Sequence, residues 1–402
     1  MARADTHIFF DLSRLLWRAE RFAPTGIDRV ELAYARHLIA AERERLSFAG
    51  WWGRLGLLPG ERAARFVAAL EAQWSGGAVD EAACGRAASL ARGLRLEALR
   101  HGEKPLHARI RDAGSAVYLH VSHQRLDRPA AFLRLKERTG IRFVCLVHDL
   151  IPIEHPRLVP WGHPRRHRRR IAAIGRLADA VVVNSAGTAA ALARHLPEAG
   201  GRLPVLVAPL GLDIPAPPAP AEAAGPAYFV VLSTIEPRKN HRLLIEIWQR
   251  LAAELGDAAP RLVLIGRRGW RARRILAPLN RPGPLRGLVE ARSALPDAAA
   301  AGLLAGARAL LHPSFAEGFG LPVAEALALG LPVLCSDLAE LRELGGGAPE
   351  YLGPRDMAAW HAAVLDYAQP NSPRRAAQLD RLPAWRRPSW QAHFAAVREL
   401  LA

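Results

Sequence analysis

The stretch His312-Pro313-Ser314-Phe315-Ala316-Glu317-Gly318-Phe319-Gly320-Leu321-Pro322-Val323-Ala324-Glu325 lies between two apolar runs. Ala307 to Leu311 before it is short enough for a buried strand, and Leu331 to Cys335 after it reads the same way. Pro322 suits the first helical position, where its missing N–H is an orphan anyway. Gly330 suits the residue just past the helix end, and Pro332 bars continuation. The expected unit is strand, glycine-rich loop, short helix, strand. Gly318 and Gly320 let the backbone approach a ligand, and the helix N-terminus offers N–H groups and partial positive charge to a phosphate. Glu317 in the loop and Glu325 in the expected first turn can each accept paired hydrogen bonds from vicinal hydroxyls. Together they describe a site for a nucleotide diphosphate-sugar. The alternative is a first-turn acid favoured by the helix dipole and a solvated loop residue.

The residues E-G-F-G-L-P-x-x-E, from Glu317 to Glu325, resemble the Glu-x7-Glu signature of retaining glycosyltransferases of family 4 (glycosyl transferases group 1). The resemblance implies an α/β protein of GT-B fold: two Rossmann-like domains facing a cleft, with a C-terminal helix crossing back to the first. The expected boundaries are 1–214 for an acceptor-binding domain, 215–226 for a Pro/Ala-rich linker, 227–384 for a nucleotide-sugar-binding domain, and 385–402 for the returning helix.

Bulk properties agree with such a chain. Its 402 residues are comfortable for two domains, and half are apolar. No run approaches the roughly 18 apolar residues of a spanning helix. The N-terminus lacks the pattern of a signal peptide. Cys84, Cys145 and Cys335 are scattered and odd in number, which fits reduced thiols in a cytoplasmic protein rather than a disulfide framework. The net charge of +17 could indicate nucleic acid, an anionic membrane or an anionic substrate. However, only Lys104, Lys136 and Lys239 are lysines among 55 basic residues, which points to compositional bias toward arginine. Neither zinc-finger spacing nor an RNA-recognition motif is present, so no nucleic-acid partner is expected.

In chain order, His7 to Leu12 reads as the first strand. Pro24, Thr25 and Gly26 form a turn before a helix from Ile27 to Ile39, with Thr25 as N-cap. The turn is similar to the family's first loop, which assigns Gly26 to the donor phosphate and acceptor side. Residues 41 to 115 are Ala-, Arg- and Leu-rich and largely helical in pattern. Val117 to Val121 and Ile141 to Val147 are strands, the second ending in His148-Asp149. A polar pair at the C-terminal end of a parallel strand sits where open α/β sheets place ligands; the alternative is that Asp149 caps a turn and His148 bonds to it. The run resembles the family's His-Asp motif, which makes His148 the catalytic-face residue, its neutral imidazole hydrogen-bonding a sugar hydroxyl. His120 and His123 are weaker acceptor-side candidates. Pro164 to Arg170 is the densest basic run: a solvated helix face, or an anchor for anionic lipid headgroups or a lipid-pyrophosphate acceptor.

Ala180 to Val183 with Ser185 resembles the family's strand ending in a Ser that begins the last helix of the first domain, and Leu206 to Asp213 is similar to its P-x-G-x-D run leading out of that domain. In the second domain Tyr228 to Leu232 is a strand, followed by Ser233-Thr234-Ile235-Glu236-Pro237-Arg238-Lys239. Many relatives carry Gly-Arg where Ser233 and Thr234 stand. Lys239 matches the family's diphosphate-binding Lys, and Arg238 or Thr234 is the candidate to supply the missing contact. Leu288 to Ser293 lacks the Phe-Leu-Gly usual in the base-recognising loop. Ser336, Asp337 and Glu340 close the donor side.

The resemblance implies transfer of mannose or another hexose from a nucleotide diphosphate-sugar to a glycan or lipid-linked acceptor in surface polysaccharide synthesis. His148, Glu317 and Lys239 are the catalytic candidates. Gly26, Thr234, Arg238, Lys239, Gly318, Phe319, Gly320, Leu321 and Glu325 are the donor-binding ones. No cofactor and no metal is expected, since no Asp-x-Asp pair or His cluster is placed to hold one. Peripheral contact with anionic membrane at its inner face is a further expectation. The rival functions are an epimerase or hydrolase on the same fold, and a non-catalytic partner subunit.

Overall fold

The computed structural model describes residues 6–21, 23–75, 81–196, 203–214, 227–293 and 295–402. The linker expected at 215–226 and the N-terminal residues 1–5 lie outside them. The chain divides into two compact units. The first comprises residues 1–153, 162–211 and 388–402, the second 154–161 and 212–387.

In the first unit, the described strands are β1 (His7–Asp11), β2 (Leu46–Trp52), β3 (Arg54–Leu58), β4 (Ala116–His120), β5 (Arg142–Val147), β6 (Ala180–Val183) and β7 (Val205–Val207). They form one sheet in the order β3-β2-β1-β4-β5-β6-β7, parallel except for the antiparallel β2–β3 pair. β1, β4 and β6 are buried along their whole length. That is why their middles read as apolar runs: helices cover both faces of a parallel sheet. Phe9, Tyr118, Phe132, Phe143 and Cys145 lie in the core of one face. The Cys145 thiol is held up at about 12 by burial, so it behaves as a small apolar side chain.

The second unit repeats the plan with β8 (Tyr228–Leu232), β9 (Arg261–Ile265), β10 (Val289–Arg292), β11 (Leu310–His312), β12 (Val333–Ser336) and β13 (Glu350–Leu352). Its order is β10-β9-β8-β11-β12-β13, all parallel. Along β8, Phe229 and Val231 enter one core with Trp248, Trp360 and Tyr367, while Val230 enters the other with Leu310, Val333 and Val323. This is the period-two alternation of a strand covered on both sides. The sheet is a doubly wound α/β arrangement whose strand order reverses between β8 and β11, and such switch points are where open α/β sheets bind ligands.

The C-terminal helix, Trp390–Leu401, belongs to the first unit and packs on the helix Gly26–Ala41. Phe394 stacks on His37 with ring centroids 3.8 Å apart. His393 lies between Tyr34 and the carbonyls of Ala208 and Pro209. Its Nδ1 donates to those oxygens at 3.1 Å, so Nε2 accepts from the Tyr34 hydroxyl at 2.7 Å. Burial holds the ring neutral, with a pKa of about 4.

The helix can approach this closely only because residue 211 is glycine. A Cβ there would lie 2.2 Å from the Trp390 backbone nitrogen and 2.6 Å from its Cα. Backbone atoms cannot swing aside as a side chain can. Gly211→Ala is therefore expected to destabilise the first unit by about 1–3 kcal/mol in chemical denaturation. Gly60→Ala, where a new Cβ meets nothing within 4 Å at the start of a helix, is expected to stay within about 1 kcal/mol of the parent.

Candidate functional site

Two turns meet at the switch point of the second sheet. The first follows β8. Pro237–Lys239 makes a single 3-10 turn, Asn240 adopts a left-handed conformation with φ 54°, and the helix His241–Leu255 begins. The second follows β11 and carries Glu317, Gly318, Phe319 and Gly320 into the helix Leu321–Ala328. Gly320 has φ 98°, which L side chains rarely adopt, so glycine is required there.

The helix begins one residue earlier than the sequence suggests, because the left-handed Gly320 acts as its N-cap. Pro322 falls within the first two helical residues, where its missing N–H still costs no hydrogen bond. Glu325 consequently lies in the second turn, not the first. It is half-buried, so the helix-dipole explanation for it weakens, since that effect decays within the first turn. The helix stops as expected, with Gly330 left-handed at φ 70°.

Glu317 ties the two turns together. Its side chain is 7% exposed. Lys239 Nζ donates to Oε1 at 2.5 Å, Arg238 donates to Oε2 at 3.2 Å, and His312 Nε2 lies 2.8 Å from Oε1. Arg238 also donates to the Ala316 carbonyl at 2.8 Å and to Glu236 Oε1 at 2.9 Å, while the Phe315 N–H donates to the Arg238 carbonyl. Burial alone would raise the Glu317 pKa, but Lys239, Arg238 and His312 outweigh it and hold the carboxyl well below its ordinary range. Lys239 is lowered from 10.5 by burial and by Arg238, against the pull of Glu317. The result is a compact network of two cations, Lys239 and Arg238, and two carboxylates, Glu317 and Glu236.

The neighbours are polar and mostly neutral. His241, buried behind Lys239, is depressed to about 3 by burial and by that cation, and its Nε2 lies 3.2 Å from Ser233 Oγ. Thr234 is half-buried, and its Cγ2 is 2.6 Å from where a Cβ on Gly269 would stand. It therefore packs against the 266–270 turn, whereas Arg238 stands in the charged network. Asp337 pairs with Arg342 at 2.5 Å. Burial, followed by Glu317 and Glu343, raises the pKa of Glu340. Gly318 is half-buried, Phe319 buried and Leu321 half-buried beside these groups in sequence.

The first unit holds the remaining candidates. His148 ends β5, buried, with Nε2 2.7 Å from the Val121 carbonyl. That carbonyl requires the proton on Nε2 and leaves Nδ1 as the accepting nitrogen. Burial holds the ring neutral at a pKa of about 4. Asp149 does cap a turn, accepting from the Ile151 N–H at 3.1 Å, but His148 does not bond to it. The Asn184 amide donates to the His148 carbonyl at 3.0 Å. His123 lies between His148 and His167, with ring centroids at 5.6 and 5.0 Å, and burial drives its pKa well below the usual value. His120 bonds to the Gln124 carbonyl at 3.1 Å. Among the described residues no group of His, Cys, Asp and Glu is arranged to hold a metal.

Gly26 is exposed at the first position of its helix. Here sequence reasoning missed the main feature. Asp28 is fully buried, accepts from the Thr25 N–H at 2.7 Å, and pairs with Arg14 at 2.6 Å and Arg18 at 2.9 Å. The Thr25-x-x-Asp28 spacing was the available signal, since it is a capping-box pattern. Glu31, one turn on, is buried, and its pKa is raised well above the ordinary value by desolvation and by Asp11. His312 was also missed, although it ends a buried strand as His148 does.

Residues 226–369 match the model of the family Glycosyl transferases group 1. O-antigen chain mannosyltransferase B of Escherichia coli is 36% identical over 170 residues, which cover 42% of this chain and 44% of that protein. The serotype-specific mannosyltransferase WbdA of Escherichia coli is 28% identical over 261 residues, 58% of this chain and 32% of that protein. The chain thus spans less than half the length of these relatives. The crystal structure of Anabaena Alr3699/HepE in complex with UDP aligns with a TM-score of 0.62 over 98% of this chain and 99% of that one, at 16% identity. Sucrose-phosphate synthase from Thermosynechococcus elongatus gives 0.56 over 74% and 75%, at 19% identity. The fold is that of the GT-B glycosyltransferases.

Removing the Glu317 carboxylate leaves the buried Lys239 without its counter-charge, while the half-buried Arg238 keeps Glu236. Glu317→Leu is expected to destabilise the second unit by about 3–5 kcal/mol in urea denaturation. Lys239→Met in the same chain should recover part of that loss, because the uncompensated charge is then gone. If the double variant loses as much as the two single losses added together, Glu317 and Lys239 are not coupled as their distance requires.

Proposed function

We propose that this chain, whose residues 226–369 belong to the glycosyl transferases group 1 family, transfers a hexose, mannose first among the candidates, from a nucleotide diphosphate-sugar to a glycan or lipid-linked acceptor in surface polysaccharide synthesis. The observation that carries this reading is the convergence of Lys239, Arg238 and Glu317 at the switch point of the second sheet. Mannose is favoured because the curated relatives named above are mannosyltransferases.

In this reading Lys239 and Arg238 take the diphosphate. Preorganised cations in a site of low dielectric stabilise the charge that grows on the leaving group. Gly318, Phe319, Gly320 and Leu321 add backbone donors at a helix N-terminus, and Thr234 lines the same donor. Glu325 holds ribose hydroxyls and Glu317 holds sugar hydroxyls. In this reading no metal is assigned a role, and Lys239 and Arg238 face the diphosphate. His148 keeps its ring neutral and presents Nδ1 as acceptor for a sugar hydroxyl.

Glu317 is a poor nucleophile, because its lone pairs are engaged by Lys239, Arg238 and His312 and its basicity is depressed. This disfavours a double displacement through a glycosyl-enzyme intermediate. We therefore favour a front-side reaction with retention. The bond from the anomeric carbon to the diphosphate oxygen breaks and the bond to the acceptor oxygen forms. The acceptor proton passes to the departing phosphate. Peripheral contact with the anionic inner face of a membrane would bring a lipid-linked acceptor to the enzyme.

Thermal shifts against UDP-, GDP- and dTDP-sugars are expected to single out one nucleotide. With that donor and an acceptor, Lys239→Ala and Glu317→Ala should each lower kcat/KM at least 100-fold, about 2.7 kcal/mol at the transition state. The NMR coupling of the product should report the donor's anomeric configuration. Release of free sugar or an epimer, with transfer to no acceptor, would contradict the reading.

A further inference from the structure

The basic run at 164–170 does not form a plain solvated helix face. It supplies one wall of a cavity of about 410 Å³ in the first unit, within the ~300–1,000 Å³ range of small-ligand sites. Arg165, Arg166 and Arg169 come from the helix His163–Leu177, and Arg125, Asp127 and Arg128 from the turn after β4. Five guanidinium groups thus share a cavity with one carboxylate. Asp127 is already engaged by Arg166 at 3.1 Å, with Arg170 at 3.8 Å. Among the described residues no carboxylate pairs with Arg128, Arg165 or Arg169.

The turn is built to hold its cations there. Arg125 has φ 66°, a conformation uncommon for a residue with a side chain. Its guanidinium lies over the Trp51 ring, 3.7 Å from the centroid. The Arg128 N–H closes the turn onto the Arg125 carbonyl at 2.9 Å. Like charges are crowded. Burial and then Arg166 push Arg170 down to about 10, and Arg125 is lowered by burial with Arg128 and Arg166 contributing. A multiply charged anion would relieve that repulsion. The use of arginine over lysine carries no weight in a chain with three lysines. The convergence of two chain segments does.

We propose that the cavity between the 125–128 turn and the start of the helix His163–Leu177 is a binding site for a phosphate or diphosphate group, separate in sequence and in unit from the Glu317 site. Guanidinium forks match phosphate oxygens bidentately, and several such contacts suit a diphosphate. The chemistry serves a free phosphoester or a lipid headgroup equally. The site itself does not depend on the glycosyltransferase reading.

The test is calorimetric titration of the full chain with inorganic pyrophosphate, with Lys239→Ala in every sample so that the donor site does not contribute. Arg165→Ala/Arg169→Ala is expected to weaken binding at least tenfold. Arg128→Ala, on the other segment, should weaken it severalfold and stands in if the double variant does not fold. Arg168→Ala removes the same charge from an exposed position of the same helix that does not line the cavity, and should change affinity less than twofold. Unchanged affinity in Arg165→Ala/Arg169→Ala and Arg128→Ala, or an equal loss in Arg168→Ala, overturns the site in favour of diffuse charge. A parallel co-sedimentation with phosphatidylglycerol and phosphatidylcholine vesicles identifies the source. Anionic-vesicle binding that pyrophosphate displaces assigns the phosphate to a lipid headgroup. Pyrophosphate binding without vesicle binding assigns it to a free phosphoester. Loss of the Arg165/Arg169-dependent binding with intact sugar transfer, or the reverse, separates this site from the transferase function.

Discussion

A buried carboxylate is costly unless its lone pairs are engaged, and Glu317 engages three of about four with Lys239, Arg238 and His312. The partners come from two elements. Lys239 and Arg238 stand on the turn after β8, and His312 ends β11. The ion pairs therefore set the distance between the two turns that flank the switch point. They also explain why the glycine loop can be short: the Phe315 N–H and the Ala316 carbonyl are both bound to Arg238, so the loop is tied to its neighbour before any ligand arrives. The same arrangement sets Lys239 and Arg238 side by side, both held by Glu317 and Arg238 also by Glu236.

Both units reach their ligand-facing ends in the same way. Parallel strands buried on both faces supply a stiff platform, and the polar groups stand on the turns at their C-terminal ends. In the first unit this puts His148 after β5 and the Arg14–Asp28–Arg18 cluster after β1. The two turns use charge differently. At Asp28 one carboxylate pins two arginines to a helix start, a closed structural unit. Between the 125–128 turn and the helix at 163, five arginines share one aspartate, an open one.

The sequence made the α/β class and the Glu317 loop legible because both rest on local pattern: short apolar runs, glycines at fixed places, and a nine-residue signature. Lys239 was legible for the same reason. Glu325 was placed a turn too early because the left-handed Gly320 moves the helix start, and backbone conformation is only weakly written in residue type. His312, Asp28 and the Arg125 turn were not legible as site features. Their meaning comes from partners brought close by the fold, such as Arg166 for Asp127 across 39 positions. The basic run could be seen, but nothing local tells an arginine on an open helix face from one that lines a cavity.

The chain has three lysines, Lys104, Lys136 and Lys239, which makes one measurement direct. In protein labelled with ¹⁵N at lysine Nζ, the Lys239 resonance is assigned by its loss in Lys239→Arg. Because burial and Arg238 lower its pKa, it should titrate below the ordinary lysine value of 10.5. Addition of the bound nucleotide diphosphate-sugar should shift the resonance and raise that pKa, as phosphate oxygens add negative charge beside Nζ, while the Lys104 and Lys136 resonances stay in place. A Lys239 resonance that does not respond to the donor would contradict the central claim that Glu317 and Lys239 form a buried pair poised for a diphosphate.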